Sequence, residues 1–571
     1  MTKDNNPIIS FKDFTFKYTA QAEPTLYNIN LDIHKGEKVL ICGPSGCGKS
    51  TLSHCLNGLI PASYDGESTG SLTIAGKSYK EHSIFSLSKI VGTVLQDSDG
   101  QFIGLTVGED IAFALENEST PLEQMKTRVL EAAKKVGIEG FLNHAPHELS
   151  GGQKQRVSLA GIMVDNVEVF LFDEPLANLD PATGKKTIEL IDEIHDMTGA
   201  AIIISEHRIE DVFHRPVDRV VLMNDGRILT DSCPNELLSS EILRDNGIRE
   251  PLYVTALKYA GVDVNTEMKP GMIETLCLNN SDKDKVRTWF KSIPLDKKED
   301  NRPVILEAKN IEFAYANGHK ALSDISLSIK KGEMMSIVGK NGAGKSTFSK
   351  VVCGFENQTS GTLLLESSDM ENLSIKERAQ HIGYVMQNPN QMITKSMIFD
   401  EVGLGLVMRG NVSKEDIDKR VDDTLKICGL HPFKTWPISA LSYGQKKRVT
   451  IASILSMNPE IVILDEPTAG QDFRHYTDIM EFLKKLNQQG VTIVLITHDM
   501  HLMLEYSERA VVFTDGKKVA DAPCEQILTD DDLANKASLK KTSLSDLALM
   551  CGLDQTQFVR AFIEYDRKVR A

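Results

Sequence analysis

Several runs along the chain are apolar at every position rather than at every second one. Val169-Phe170-Leu171-Phe172 and Ile461-Val462-Ile463-Leu464 are the clearest. A strand with one wet face alternates, so these runs predict strands covered on both faces, as in a parallel sheet. Lys38–Cys42, Met335–Val338, Ala201–Ser205 and Val491–Ile496 have the same character. Helix-like runs follow the first pair, over Leu52–Leu59 and Phe348–Val352. Alternating buried strands and helices predict an α/β fold. Leu252–Ala260 is a further helical stretch. Ser538–Ala571 reads as a helical hairpin with Leu544, Leu547, Leu549, Phe558, Phe562 and Ile563 facing the parent domain or a second subunit.

The pattern is written twice. Gly43-Pro44-Ser45-Gly46-Cys47-Gly48-Lys49-Ser50-Thr51 returns 296 residues on as Gly339-Lys340-Asn341-Gly342-Ala343-Gly344-Lys345-Ser346-Thr347. Leu149-Ser150-Gly151-Gly152-Gln153 returns 292 on as Leu441-Ser442-Tyr443-Gly444-Gln445, and Asp173-Glu174-Pro175 returns 292 on as Asp465-Glu466-Pro467. His207 returns as His498, 291 on. Constant order and near-constant offset predict tandem homologous domains, and the period is too long for a solenoid. The expected organisation is a first domain over 7–230, an accessory segment and linker over 231–303, a second domain over 304–528 and a C-terminal helical extension over 529–571. The charge clusters Ser281–Lys285 and Lys297–Asp300 read as solvated surface.

Each Gly-rich loop lies between a strand and a helix. Its backbone N–H groups can converge on a phosphate, and the helix N-terminus adds its positive dipole end. Lys49 and Lys345 would reach the β- and γ-phosphates, and Ser50 and Ser346 would ligate Mg²⁺. Asp173 and Asp465 end buried strands, where they would hold the same Mg²⁺ directly or through water. Glu174 and Glu466 follow, placed to take a proton from water attacking the γ-phosphate. The serines of the second motif open helices, which makes a second anion-binding N-terminus; the leucine that starts each motif lies 24 residues before the aspartate.

Together these motifs resemble the ABC ATPases, and the chain is similar to a tandem ABC nucleotide-binding protein through both copies. The resemblance implies α/β architecture with two P-loop NTPase domains. Each would have a RecA-like core, an antiparallel β subdomain and a helical subdomain. It implies head-to-tail pairing of the two domains, so that the signature of one completes the ATP site of the other. One site would use Lys49, Glu174 and His207 with Ser442, Gly444 and Gln445. The other would use Lys345, Glu466 and His498 with Ser150, Gly151, Gly152 and Gln153. Tyr18 and Tyr315 match the adenine-stacking aromatic, Gln96 and Gln387 the glutamine that senses Mg²⁺ and attacking water, and Asp180 and Asp472 the loop aspartates at the domain interface. His207 and His498 match the histidine that contacts the γ-phosphate. Tyr443 stands where the signature usually has glycine, which predicts a slower site rather than a dead one.

Composition narrows the class. Lys and Arg number 64 against 80 Asp and Glu, a net charge of −16, which gives no broad footprint for nucleic acid. Nine cysteines with no C-x-x-C pair exclude the common zinc and iron–sulfur spacings and fit a reducing cytoplasm. The polar N-terminus offers no secretion signal core, and no apolar run approaches the ~20 residues of a membrane helix. Any membrane role is therefore borrowed from a partner. A DNA-repair or ribosome-recycling ATPase would carry metal-binding cysteines, and a soluble tandem translation factor a basic arm; this sequence has neither.

The tracts Gln96–Phe102 with Thr106–Phe113, Gln387–Gln391 with Phe399–Val402, and Ser205-Glu206-His207-Arg208 resemble the fused ATPases of energy-coupling-factor (ECF) importers. That likeness implies ATP as substrate, an integral-membrane scaffold subunit and a substrate-binding membrane subunit as partners, a place on the cytoplasmic face of the cell membrane, and a vitamin or other micronutrient as cargo. A fused ATPase of a sugar or peptide importer, or a soluble tandem-ABC translation factor, is the alternative. Asp99 matches an acidic position that meets a scaffold arginine; Asn390 departs from it. Cys47, among loop amides and near Lys49, has surroundings that lower a thiol pKa, with burial opposing.

Overall fold

The computed structural model describes residues 6–95, 101–177, 179–295, 300–410, 412–468 and 473–570. Gln96, Asp99 and Asp472 lie outside the described residues, as does the cluster Lys297–Glu299. The chain divides into two compact units, one of Met1–Leu179 with Thr183–Val286 and one of Asp180–Ala182 with Arg287–Ala571.

Each unit carries one six-stranded sheet of parallel strands with an antiparallel edge. In the first the order is Arg227–Ser232, Arg219–Asn224, Lys38–Cys42, Ala201–Ser205, Val169–Asp173, Val91–Val94. In the second it is Ile382–Val385, Ile461–Asp465, Thr492–Ile496, Met334–Val338, Arg509–Thr514, Lys517–Pro523. The strand feeding the Gly-rich loop is central in both. A separate four-stranded antiparallel sheet, built on Ile9–Tyr18 or Val304–Ala314, packs beside it. The helical layer includes Val107–Asn117, Leu122–Lys135 and Gly151–Met163 in the first unit, and Ile398–Arg409, Lys414–Ile427 and Tyr443–Leu455 with Phe473–Gln488 in the second.

The second unit shows why the core strands are apolar throughout. Met335, Ile337, Ile461, Ile463, Val494 and Ile496 join the core shared with the antiparallel sheet. Met334, Val462, Leu464, Ile493 and Leu495 point the other way and pack with Val402, Leu425 and Val449 of the helical layer. Alternate residues thus serve two different cores, and no position on these strands meets water.

Between the cassettes, Leu252–Tyr259 buries Leu252, Tyr253, Val254, Ala256 and Leu257, and the Tyr253 hydroxyl donates to the Pro270 carbonyl at 2.5 Å. The cluster Ser281–Lys285 lies in the helix Asn280–Ser292, with Ser281, Asp284 and Lys285 exposed as expected and Asp282 the exception. Asp282 is buried there because it and Asn279 exchange side-chain-to-backbone hydrogen bonds that satisfy the helix start.

The C-terminal helices Ser543–Met550 and Gln555–Arg570 pack on each other and on their parent unit. Arg567 donates to the Glu505 and Ser507 carbonyls at 3.0 Å. Leu544, Leu547, Phe558, Phe562 and Ile563 are buried as expected, whereas Leu549 is 55% exposed, on the outer face of its helix. Trp289 lies edge-on to Phe558 (5.8 Å) and Tyr565 (5.4 Å), so the end of the linker helix is part of this cluster. Phe558→Ala removes its centre. The expected loss is about 3–5 kcal/mol, read as a lower melting temperature for the unit that contains it. A melting curve unchanged from the native chain would contradict this packing.

Candidate ATP sites

The two Gly-rich loops close over their own lysines. Lys49 Nζ donates to the carbonyls of Gly43 (2.7 Å) and Pro44 (3.1 Å), and Lys345 Nζ to those of Gly339 (2.8 Å) and Lys340 (3.0 Å). Both lysines are buried, and burial lowers the pKa of Lys345 against the pull of Glu466 and Asp465. Glycine is required where the loops begin. A Cβ on Gly43 would sit 2.2 Å from the Met223 carbonyl oxygen, and one on Gly339 would sit 2.0 Å from that of Phe513. The helices Lys49–Leu56 and Lys345–Cys353 leave each loop. Ser50 and Ser346 occupy their second positions, with Thr51 and Thr347 next.

Tyr18 and Tyr315 come from the antiparallel sheets. Their hydroxyls meet Thr51 Oγ1 at 3.0 Å and Thr347 Oγ1 at 2.9 Å, which fixes each ring beside its loop. Their ring edges are supported by Phe16 and Phe313, both at 4.9 Å.

The acidic pairs sit where two adjacent parallel strands end together, Asp173 beside Ser205 and Asp465 beside Ile496. Glu174 and Glu466 then adopt left-handed backbone, φ 48° and 47°. Such a conformation costs a non-glycine residue of order 1–3 kcal/mol. Each is pinned by its own N–H, donated to the Ser205 and Ile496 carbonyls at 2.9 Å. Burial raises the pKa of Glu174 to about 7, with the carboxylate of Glu206 adding to the rise and Lys49 opposing it. Burial also raises the pKa of Asp173 and Asp465, and the hydroxyls of Ser346 and Tyr384 pull the second down. Tyr384 donates to Asp465 Oδ2 at 2.9 Å.

The carboxylate and hydroxyl oxygens here suit Mg²⁺, a hard cation. Asp173 Oδ1 is buried with no hydrogen-bond partner among the described residues, and Ser346 is bonded to Asp465, so the residues present fit that ion.

His207 and His498 end the neighbouring strands, but their partners differ. His498 Nδ1 meets Glu466 Oε1 at 2.7 Å. His207 Nδ1 lies 3.2 Å from Glu206 Oε1, a carboxylate with no solvent exposure that also accepts the N–H of His207 at 2.8 Å. Ser150 and Ser442 cap the helices Gly151–Met163 and Tyr443–Leu455 through reciprocal bonds with Gln153 and Gln445. Gly151, Gly152 and Gly444 lie in the first turns of these helices, at the surface or half-buried. Gln387 is exposed, just past the strand Ile382–Val385, and its carbonyl lies 3.4 Å from the Tyr443 hydroxyl. Asp180 is buried.

Three neighbours of the acidic turns had no role in the motif reading: Glu206, which entered only within the tract Ser205–Arg208, Tyr384 and Lys447. Lys447 is wholly buried, its pKa pushed down to about 8, and it donates to the Glu466 carbonyl at 2.7 Å. Aligning the two copies position by position would have exposed all three, since they face Thr497, Thr93 and Gln155 in the other copy.

Cys47 runs against expectation. Burial raises its pKa, and the nearby Lys49 only partly offsets that. The thiol is 2% exposed, so the thiolate is disfavoured and shielded. Mass-spectrometric mapping after brief iodoacetamide treatment of the native protein should show Cys277, the exposed thiol, modified well before Cys47. Equal rates would contradict this.

A sheet of buried parallel strands carrying a Gly-rich loop, an Asp-Glu pair and a strand-end histidine, twice in one chain, defines a tandem P-loop ATPase. The family described as ABC transporter matches residues 26–177 and 322–469, and one described as ATP-binding cassette cobalt transporter matches 240–313. Putative ABC transporter ATP-binding proteins are 57% identical in Clostridium perfringens (strain 13 / Type A), over 99% of this chain and 100% of theirs, and 54% identical in Enterococcus faecalis (strain ATCC 700802 / V583), over 99% of each. A solved structure of cbiO1 from Clostridium perfringens, described as part of the ABC transporter complex cbiONQ, is 33% identical and covers 41% of this chain and 94% of its own, with a TM-score of 0.38. The chain belongs to the ABC transporter ATP-binding proteins, as an ATPase with two ATP-binding cassettes in tandem. Among the described residues no helix is long and apolar enough to cross a membrane.

Proposed function

We propose that the chain hydrolyses ATP at two composite sites, each formed head to tail from the loop and acidic pair of one cassette and the signature of the other. What supports this most is that both cassettes keep a complete set: Lys49, Asp173, Glu174 and His207 in the first, Lys345, Asp465, Glu466 and His498 in the second. The lysines and loop amides bind the phosphates. Glu174 and Glu466 take the proton of the water that attacks the γ-phosphorus, and Gln96 and Gln387 orient that water. His207 and His498 contact the γ-phosphate, and Tyr18 and Tyr315 stack on adenine. Ser150 with Gly152, and Ser442 with Gly444, close the opposite site. Mg²⁺, held by Ser50 with Asp173 and by Ser346 with Asp465, would neutralise charge on the β- and γ-oxygens.

Glu174→Gln with Glu466→Gln should lower steady-state ATPase by on the order of 10²–10⁴ and spare ATP binding. A double variant with near-native turnover would remove these carboxylates from the role.

As part of the same proposal, the ATPase sits on the cytoplasmic face of the cell membrane and energises an ECF-type importer of a vitamin or other micronutrient, through an integral-membrane scaffold subunit and a separate substrate-binding membrane subunit. A narrower reading is favoured by residues 240–313, whose family is described by cobalt transport: the cargo is then a cobalt ion. Proteoliposomes holding this chain and the membrane proteins encoded beside it would separate the two. ATP-driven uptake of labelled Co²⁺ but not of vitamins supports the narrower reading, vitamin uptake supports the broader one, and no uptake of either contradicts both.

A further inference from the structure

Lysine is the residue that a protein interior tolerates least, because its charge must be satisfied there. Lys447 has no solvent exposure, and its ammonium lies on the Glu466 carbonyl at 2.7 Å. That carbonyl belongs to the left-handed residue that carries the side chain paired with His498. Holding the Glu466 backbone on both sides of its Cα, at the N–H by Ile496 and at the carbonyl by Lys447, determines where the carboxylate points.

In the first cassette the residue in Lys447's place is Gln155, and it reaches the carbonyl one residue further along the turn. Gln155 Nε2 donates to the Pro175 carbonyl at 2.7 Å, and Gln155 Oε1 accepts from the Thr187 hydroxyl at 2.8 Å. A cation reaches that turn from another element, since the Arg208 guanidinium donates to the Leu176 carbonyl. In the second cassette the residue in Arg208's place is Asp499, whose carboxylate is occupied in capping the helix Met500–Tyr506. Among the described residues, a basic side chain donates to a backbone carbonyl of each acidic turn, Arg208 from the histidine loop in the first cassette and Lys447 from the signature helix in the second.

We propose that Lys447 is a positioning residue for the second ATP site: its ammonium clamps the Glu466 peptide and so keeps the carboxylate in its reactive place. This rests on Glu466 acting as the base, and the test separates the two claims. ATPase kinetics are measured on the full chain for Glu466→Gln, Lys447→Met and Lys447→Gln. Glu466→Gln sets the full loss for this site. Lys447→Met should show more than half of that loss on a logarithmic scale, confined to kcat with KM for ATP within about twofold, as expected when only transition-state positioning is lost. Lys447→Gln, which keeps an N–H donor at the same place on the signature helix without the charge, should restore most of the rate. Native kcat in Lys447→Met, a parallel loss in Lys447→Gln, or a matching rise in KM would each overturn the clamp. If Glu466→Gln itself turns over normally, the role of Glu466 falls first and the clamp falls with it. The Gln variant keeps the test decisive even where Lys447→Met does not fold.

Discussion

A single strained peptide at the end of a buried strand carries each acidic pair. The aspartate still belongs to the sheet, while the glutamate, one residue later, turns left-handed at φ 48° or 47°. An L-residue leaves that conformation unless its surroundings fix it. The adjacent strand supplies the fixing bond, from the Ser205 or Ile496 carbonyl. The strand needs two apolar faces to be buried at all. The continuous apolar runs, the two cores around them and the direction of the glutamates are therefore one constraint seen at three scales.

The same frame leaves room for the cassettes to diverge. In the first, a buried carboxylate, Glu206, lies beside His207 and adds negative charge near Glu174. In the second, Thr497 replaces it, and His498 pairs with Glu466 itself. Tyr384 steadies Asp465 in the second cassette, where the first has Thr93. The two cassettes keep the same candidate side chains and differ in what holds them.

Much of this was legible from residue order. Invariant chemistry at a fixed offset located the loops, the acidic pairs, the signature caps and the histidines, because those contacts are local to a strand end or a helix start. Partners brought in from elsewhere in the chain were not legible. Lys447 reads as one of two lysines in the basic run Lys446-Lys447-Arg448, and only the packing of Tyr443–Leu455 against the acidic turn buries it. Cys47 failed for the opposite reason. Its charged neighbour was visible in sequence, but the depth of its burial was not. Leu549 failed because apolar character alone does not say which face of a short helix is covered.

The central claim is that both cassettes are working nucleotide sites. Equilibrium binding of labelled ATP, counted per chain, tests it directly in the native protein and in Lys49→Ala and Lys345→Ala. The account predicts two ATP bound per native chain and one in each variant, because each lysine serves a separate loop. One ATP per native chain, or a variant that still binds two, would contradict it.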